Sequence, residues 1–163
     1  MIFFDRKNLK HYLAQERGAG KIIGLCHGCF DLVHVGHLEH FRVAKKNCDL
    51  LVVSLTRDEF ITKGPGRPMF TEDERVNFLL SIREIDAVFI ADGETALDAI
   101  EIVQPNYYFK GIDYKNIESD VTGNLKLEVE LVERFGGKLY ITETEKFSST
   151  NIIKKKKLLK INN

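Results

Sequence analysis

Apolar residues along the chain fall into short runs separated by longer stretches of helical spacing. KIIGLCHG at 21–28 is short, β-branched and closed by glycine, which predicts a buried strand. CDLLVVSLT at 48–56 is nearly continuous in apolar residues from Leu50 to Val53, as expected of a parallel strand covered on both faces. DAVFIAD (86–92), NYYFKG (106–111) and KLYITET (138–144) predict three more strands. Between them lie helical patterns: GHLEHFRVAKKN with Leu38, Phe41 and Ala44 on one side, TEDERVNFLLSI, ETALDAIEIV, and NLKLEVELVERF stopped by Gly136 and Gly137. Thr71 with Glu74 three residues on forms a capping-box signal.

Residues 5–17 predict an amphipathic helix that places an N-terminal helical extension in residues 1–20. SSTNIIKKKKLLK predicts a closing helix over 147–163, with Ser148 or Ser149 as N-cap. KGPGRPM at 63–69 is too rich in glycine and proline for regular structure, and 115–122 is polar and irregular. Strands alternating with helices predict an open α/β fold with a five-stranded, mainly parallel sheet flanked by helices. Ligands in such folds sit beyond the carboxyl ends of the strands.

Length and composition narrow this further. The 163 residues fit one domain, 1–163, with no internal repeat or linker. Lys plus Arg and Asp plus Glu number 24 each, so the overall charge makes no case for nucleic acid, and the Lys154–Lys157 run reads as a solvated helix face. No apolar run reaches the roughly 18 residues of a membrane span, and MIFFDRKNLK lacks the core of a signal peptide. Three cysteines fit a reducing cytoplasm better than a disulfide framework.

The chemistry concentrates in CHGCFDLVHVGHLEH at 26–40, which holds four of the five histidines and two of the three cysteines. Cys26, Cys29, His34 and His37 could form a zinc or redox site. Cys26 lies inside the first predicted strand, however, and no second cysteine pair follows. The alternative is an anion site: His34 and His37 flank Val35-Gly36 at a helix start, where free N–H groups and the positive dipole end gather. Gly36 admits close backbone approach. His27, His40 and the two cysteines are then mostly packing groups, and Asp31 either caps or braces the loop or serves the ligand side of it.

GCFDLVHVGH resembles the signature of the cytidylyltransferase-like nucleotidyltransferases, with a His-x-Gly-His motif. The resemblance runs from about Lys21 to Lys155 and takes in KGPGRP at 63–68, the ERV helix at Glu74, KGIDY at 110–114 and FSSTNII at 147–153. KGPGRP and KGIDY are most similar to the nucleotidyl domain of bacterial ADP-heptose synthases; the short form is more like glycerol-3-phosphate cytidylyltransferase. This implies a Rossmann-like enzyme in which a phosphomonoester attacks the α-phosphorus of a nucleoside triphosphate and pyrophosphate leaves. His34, His37 and Lys63 would be catalytic. Gly28, Cys29, Phe30, Gly36, Gly111, Asp113, Ser149 and Thr150 would bind the nucleotide, and Arg67 and Arg75 the acceptor.

Magnesium would accompany the triphosphate, with no dedicated protein metal site. CTP is favoured over ATP as donor, giving a CDP-activated sugar or polyol for surface polysaccharide synthesis; the ATP-dependent, ADP-heptose-type reaction is the alternative. Family members are often dimers, so a cytoplasmic homodimer is expected. The chain departs from the glycerol-phosphate enzymes at Glu143, near which they carry an arginine. A carboxylate there repels an acceptor phosphate, which argues for a larger sugar or polyol phosphate.

Overall fold

The computed structural model describes residues 2–3, 5–62, 64, 66–114 and 124–143. Six strands form one sheet: β1 (Ile2–Phe3), β2 (Ile23–Gly28), β3 (Leu50–Thr56), β4 (Ala87–Ala91), β5 (Tyr107–Gly111) and β6 (Lys138–Thr142). The order is β1-β4-β3-β2-β5-β6, and every adjacent pair is parallel. The five expected strands are all present. The sixth, β1, is a two-residue edge strand pairing Ile2 with Ala87 and Phe3 with Val88; a pairing this short carries no periodicity to read.

The helices are α1 (Arg6–Gly18), α2 (Val35–Lys46), α3 (Glu72–Leu80), α4 (Leu97–Val103) and α5 (Asn124–Arg134). Their starts follow from capping chemistry. The Asp5 carboxylate accepts from the backbone N–H of Lys7 and Asn8, both at 3.0 Å, and Thr71 and Glu74 form the expected reciprocal box on α3. α4 begins later than its sequence pattern suggests, and the Ala96 N–H at its N-cap donates to Glu128 on α5. Among the described residues no helix is long and apolar enough to cross a membrane. The expected closing helix at 147–163 and the irregular stretch at 115–122 lie outside the described residues.

One face of the sheet is covered by α1, α4 and α5, where Leu9, Leu13, Ile100, Val103 and Val132 pack on Leu25, Val52 and Phe89. The other is covered by α2 and α3, where Phe41, Ala44, Val76 and Leu79 pack on Cys26, Val53 and Phe109. Double coverage is why β3 is buried along all seven residues. The turn into β6 packs equally closely. A Cβ on Gly137 would lie 2.0 Å from the Pro105 carbonyl oxygen, so Gly137→Ala must move backbone. We expect a loss of about 1–3 kcal/mol in urea unfolding, the usual cost of overpacking.

Strand order reverses direction on either side of β2: β3 leads one way and β5 the other. At such a switch point the loops leaving the two central strands part, and a crevice opens at their carboxyl ends.

Candidate active site

β2 ends at His27-Gly28, and the loop from Cys29 to His34 leads into α2 at that crevice. His34 is the N-cap of α2, in extended backbone, and His37 sits in its first turn. Their rings stack with centroids 4.0 Å apart and planes 31° from parallel. The His34 backbone N–H donates to His37 Nδ1 at 3.3 Å. An accepting Nδ1 leaves the proton of a neutral imidazole on Nε2, which is then the donor nitrogen of His37. Burial lowers the His34 pKa from its ordinary value. Two imidazoles therefore meet at the positive end of a helix, which suits an oxyanion.

Three devices hold this loop. Phe30 adopts φ 47°, a left-handed conformation uncommon for a bulky side chain. Its ring stands edge-on to His37 at 5.5 Å, 5.4 Å from Phe41 and against Gly28. Asp31, 6% exposed, accepts from the backbone N–H groups of Met69 (2.7 Å) and Phe70 (3.2 Å) and pairs with Arg67 at 2.7 Å. Behind the loop, Arg75 donates through Nη1 to the carbonyls of Cys29 (2.5 Å) and Thr56 (3.0 Å), through Nε to that of Phe70, and through Nη2 to Asp58.

Both arginines, expected from the sequence to meet the acceptor, are engaged with protein groups of the loop. Arg75 is 1% exposed, and all three of its guanidinium nitrogens are engaged with protein, so it braces the loop from behind. Arg67 closes on Asp31 and ties the glycine-rich loop to the histidine loop. Gly36 is buried in the first turn of α2. Gly111 ends β5 with open space where a side chain would stand, and Asp113 follows in a short 3-10 turn. Lys63, Ser149 and Thr150 lie outside the described residues. Glu143 is exposed, one residue beyond β6.

The soft-ligand alternative finds no support in this arrangement. Cys26 is fully buried in the apolar cluster beneath α2, and burial pushes its thiol well above the ordinary range. Among the described residues no three His, Cys, Asp or Glu side chains gather as a metal site.

His27 and His40 are held by hydroxyls. His27 Nδ1 lies 2.8 Å from Ser54 Oγ, and His40 Nδ1 2.7 Å from Thr142 Oγ1. Burial, with the nearby Lys110 charge, lowers their pKa values to about 3 and about 4. Both are neutral at pH 7 and contribute no cation to an anion site. The unfolded chain binds more protons than the folded one from pH 6.5 down to these values. Their contribution to stability is therefore complete above pH 6.5 and is lost as pH falls through the window towards 4 and 3. We expect the urea midpoint to fall between pH 6.5 and 4, and to fall less steeply in a His27→Gln, His40→Gln double variant.

A cavity of about 350 Å³ opens beside the loop, beyond the ends of β2, β3 and β5. It contains a buried polar cluster not anticipated from the sequence. Glu128 accepts from the Tyr108 hydroxyl at 2.9 Å and the Ala96 N–H at 3.1 Å, and pairs with Lys110 at 3.1 Å. Glu128 stands with Leu125, Leu131 and Val132 among the buried residues of α5. A carboxylate at an apolar-face position was the legible signal.

The profile of the cytidylyltransferase-like family matches residues 25–155. The chain is 37% identical over 153 residues to the bifunctional protein HldE of Syntrophotalea carbinolica, covering 92% of this chain and 30% of that one. It is 38% identical over 143 residues to the HldE of Geotalea uraniireducens, covering 86% and 28%. The chain thus spans less than a third of the length of these curated relatives. Among solved structures, the lipopolysaccharide core biosynthesis protein of Thermoplasma volcanium superposes with a TM-score of 0.61 at 23% identity, over 79% of this chain and all of that one. The pantoate-beta-alanine ligase of Francisella tularensis gives 0.59 at 18% identity, over 91% and 69%. These two likenesses are of fold. The profile match extends over most of the sequence and takes in the histidine loop, and the chain belongs to the cytidylyltransferase-like family.

Proposed function

We propose that the domain is a nucleotidyltransferase that moves a nucleoside monophosphate, AMP in preference to CMP, from the triphosphate to a sugar phosphate. The observation that carries this is the pair of stacked imidazoles at the start of α2, at the point where the strand order reverses. An oxygen of the acceptor phosphomonoester attacks the α-phosphorus, the bond from that phosphorus to the bridging oxygen breaks, and pyrophosphate leaves. The acceptor's second pKa is about 6, so near neutral pH its oxygen needs no general base. The work left to the protein is alignment and stabilisation of charge.

His34 and His37 do that work. The phosphates raise the pKa of His34 back from the value burial gives it, and His37 Nε2–H donates to an α- or β-phosphate oxygen. The backbone of Gly28, Cys29 and Phe30 lines the triphosphate, with Arg75 holding the Cys29 carbonyl from behind. Gly111 and Asp113 meet the nucleoside. Lys63, Ser149 and Thr150 complete the phosphate contacts, as their places in the family motifs imply. Asp31 is occupied by Met69, Phe70 and Arg67. Magnesium enters as part of the triphosphate substrate.

The donor base turns on which relatives count. The short form of the chain favours CTP only if its length is informative, and its match to about 30% of much longer relatives removes that weight. KGPGRP and KGIDY resemble ADP-heptose synthases, and the sequence relatives are bifunctional HldE proteins. Both support ATP. The product is then a nucleotide-activated sugar for surface polysaccharide synthesis, made in the cytoplasm by a homodimer.

The test is pyrophosphate release from each of ATP, CTP, GTP and UTP, with magnesium and a panel of sugar and polyol phosphates. ATP with a sugar phosphate should give the fastest release. Product from CTP alone would reverse the base assignment, and no product from any pair would remove the enzymatic reading.

A further inference from the structure

The three devices that hold the histidine loop meet at a second cavity. It measures about 250 Å³ and lies between that loop and α3. Among the described residues it shares no lining residue with the cavity beyond the strand ends. Phe30, Asp31 and Arg75 all line it, and the rest of the wall is mainly apolar, with Val33, Phe70 and Phe78. Phe70 and Phe78 are 43% and 52% exposed, so the cavity is open to solvent on their side.

Phe30 connects this space to the histidine pair. Its ring is 8% exposed, stands edge-on to His37 at 5.5 Å, and belongs to a residue at φ 47°. Such a backbone persists only where surrounding contacts hold it. Atoms facing an unfilled apolar cavity lack dispersion partners on that side. A molecule seated there supplies them and favours the loop conformation that sets the His37 ring. The wall also decides the charge of that molecule. Asp31 is engaged by Met69, Phe70 and Arg67, Glu74 by Thr71, and Arg75 by three carbonyls and Asp58. Each of these charges already has a protein partner, so an ion would lose hydration there without gaining one. Apolar cavities of roughly 150 Å³ hold a benzene ring, and about 250 Å³ takes a fused pair of rings.

We propose that this cavity is a regulatory site for a small, neutral, bicyclic aromatic molecule, whose occupation steadies Phe30 and through it the His37 ring. Phe30 is then a positioning residue, with its backbone on the substrate side of the loop and its ring in the cavity wall. The effect on turnover rests on the proposed nucleotidyl transfer. Binding, and the response of His37 to it, do not.

The test titrates indole into the full chain, followed by saturation-transfer NMR and by the Cε1–H signals of the histidine rings, that of His37 assigned by its loss in His37→Ala. Indole should bind with a Kd of about 0.1–1 mM, the range open to so small a ligand. It should shift the His37 signal and raise turnover by about twofold or more. Phe78→Ala should weaken binding roughly tenfold, as for one lost aromatic wall, with turnover in the absence of indole unchanged. Phe70→Ala should weaken binding likewise, and replaces it if Phe78→Ala does not fold. Indole-3-acetate and tryptamine, which add one charge of either sign, should bind at least about fivefold more weakly. Equal binding of either ion, binding retained in the folded variants, an unmoved His37 signal, or turnover lowered by indole would each overturn the proposal. So would a dimer that indole dissociates in sedimentation velocity, since a second copy would then cover the cavity. If no triphosphate gives product yet indole binds and shifts His37 in this pattern, the cavity assignment stands and the enzymatic reading fails.

Discussion

Replacing His37 by alanine should lower turnover by at least about tenfold, and by up to about 10³-fold, while leaving the urea midpoint nearly unchanged. The range is that measured when a donor to developing negative charge is removed from an enzyme site. The structural reason is the tautomer: the His34 backbone N–H occupies Nδ1 of His37, so the only proton on the neutral ring is at Nε2. His34→Ala should act in the same direction. It also removes the ring stacked 4.0 Å from His37 and opens the helix start to water. Because the two rings are in contact, the double variant should lose less than the product of the single losses. Near-normal turnover in both single variants would take the histidines out of the mechanism.

Arg75→Met should produce the second large effect, on stability rather than on substrate binding. The guanidinium is 1% exposed and joins Cys29, Thr56, Phe70 and Asp58. Methionine fills much of the volume but leaves three carbonyls and a carboxylate without this partner. Breaking a buried charged contact of this kind costs about 3–5 kcal/mol. With a urea m-value of about 2 kcal/mol/M, the midpoint should drop by about 1.5–2.5 M. Arg75→Lys keeps the charge but not the fork, so it should fall between. If Arg75 instead held the acceptor phosphate, the outcome would be the opposite: an unchanged midpoint and a raised acceptor KM.

The sequence expressed the sheet well because a parallel strand covered on both faces must be apolar along its length. LLVV at 50–53 could scarcely be anything else. The histidine pair was legible for a related reason, since its meaning comes from neighbours in the chain: a strand before it and a helix after it. The rest depends on partners far along the chain. Arg75 meets Cys29 through a backbone carbonyl 46 residues away, and Asp31 meets the Met69 and Phe70 amides 38 and 39 residues away. Any residue type offers those carbonyls and amides, so composition carries no trace of the pairing. The sequence therefore shows both arginines only as charges, and the contacts with the loop appear once the chain is folded.

Lys110 and Glu128 show the intermediate case. Each was visible as a charge in an apolar setting, one in the strand YYFKG and the other on the buried side of LKLEVELVERF. Only the packing of α5 on the sheet shows that the two charges answer one another at 3.1 Å across a cavity wall.

The central claim is that an acceptor phosphate oxygen attacks the α-phosphorus at the histidine pair. The most direct measurement is ³¹P NMR of the reaction with a sugar phosphate carrying ¹⁸O in its terminal phosphate oxygens. The label should appear in the diphosphate bridge of the nucleotide sugar, with the released pyrophosphate unlabelled. Label in pyrophosphate or inorganic phosphate, or no diphosphate product with any nucleoside triphosphate, would contradict the account.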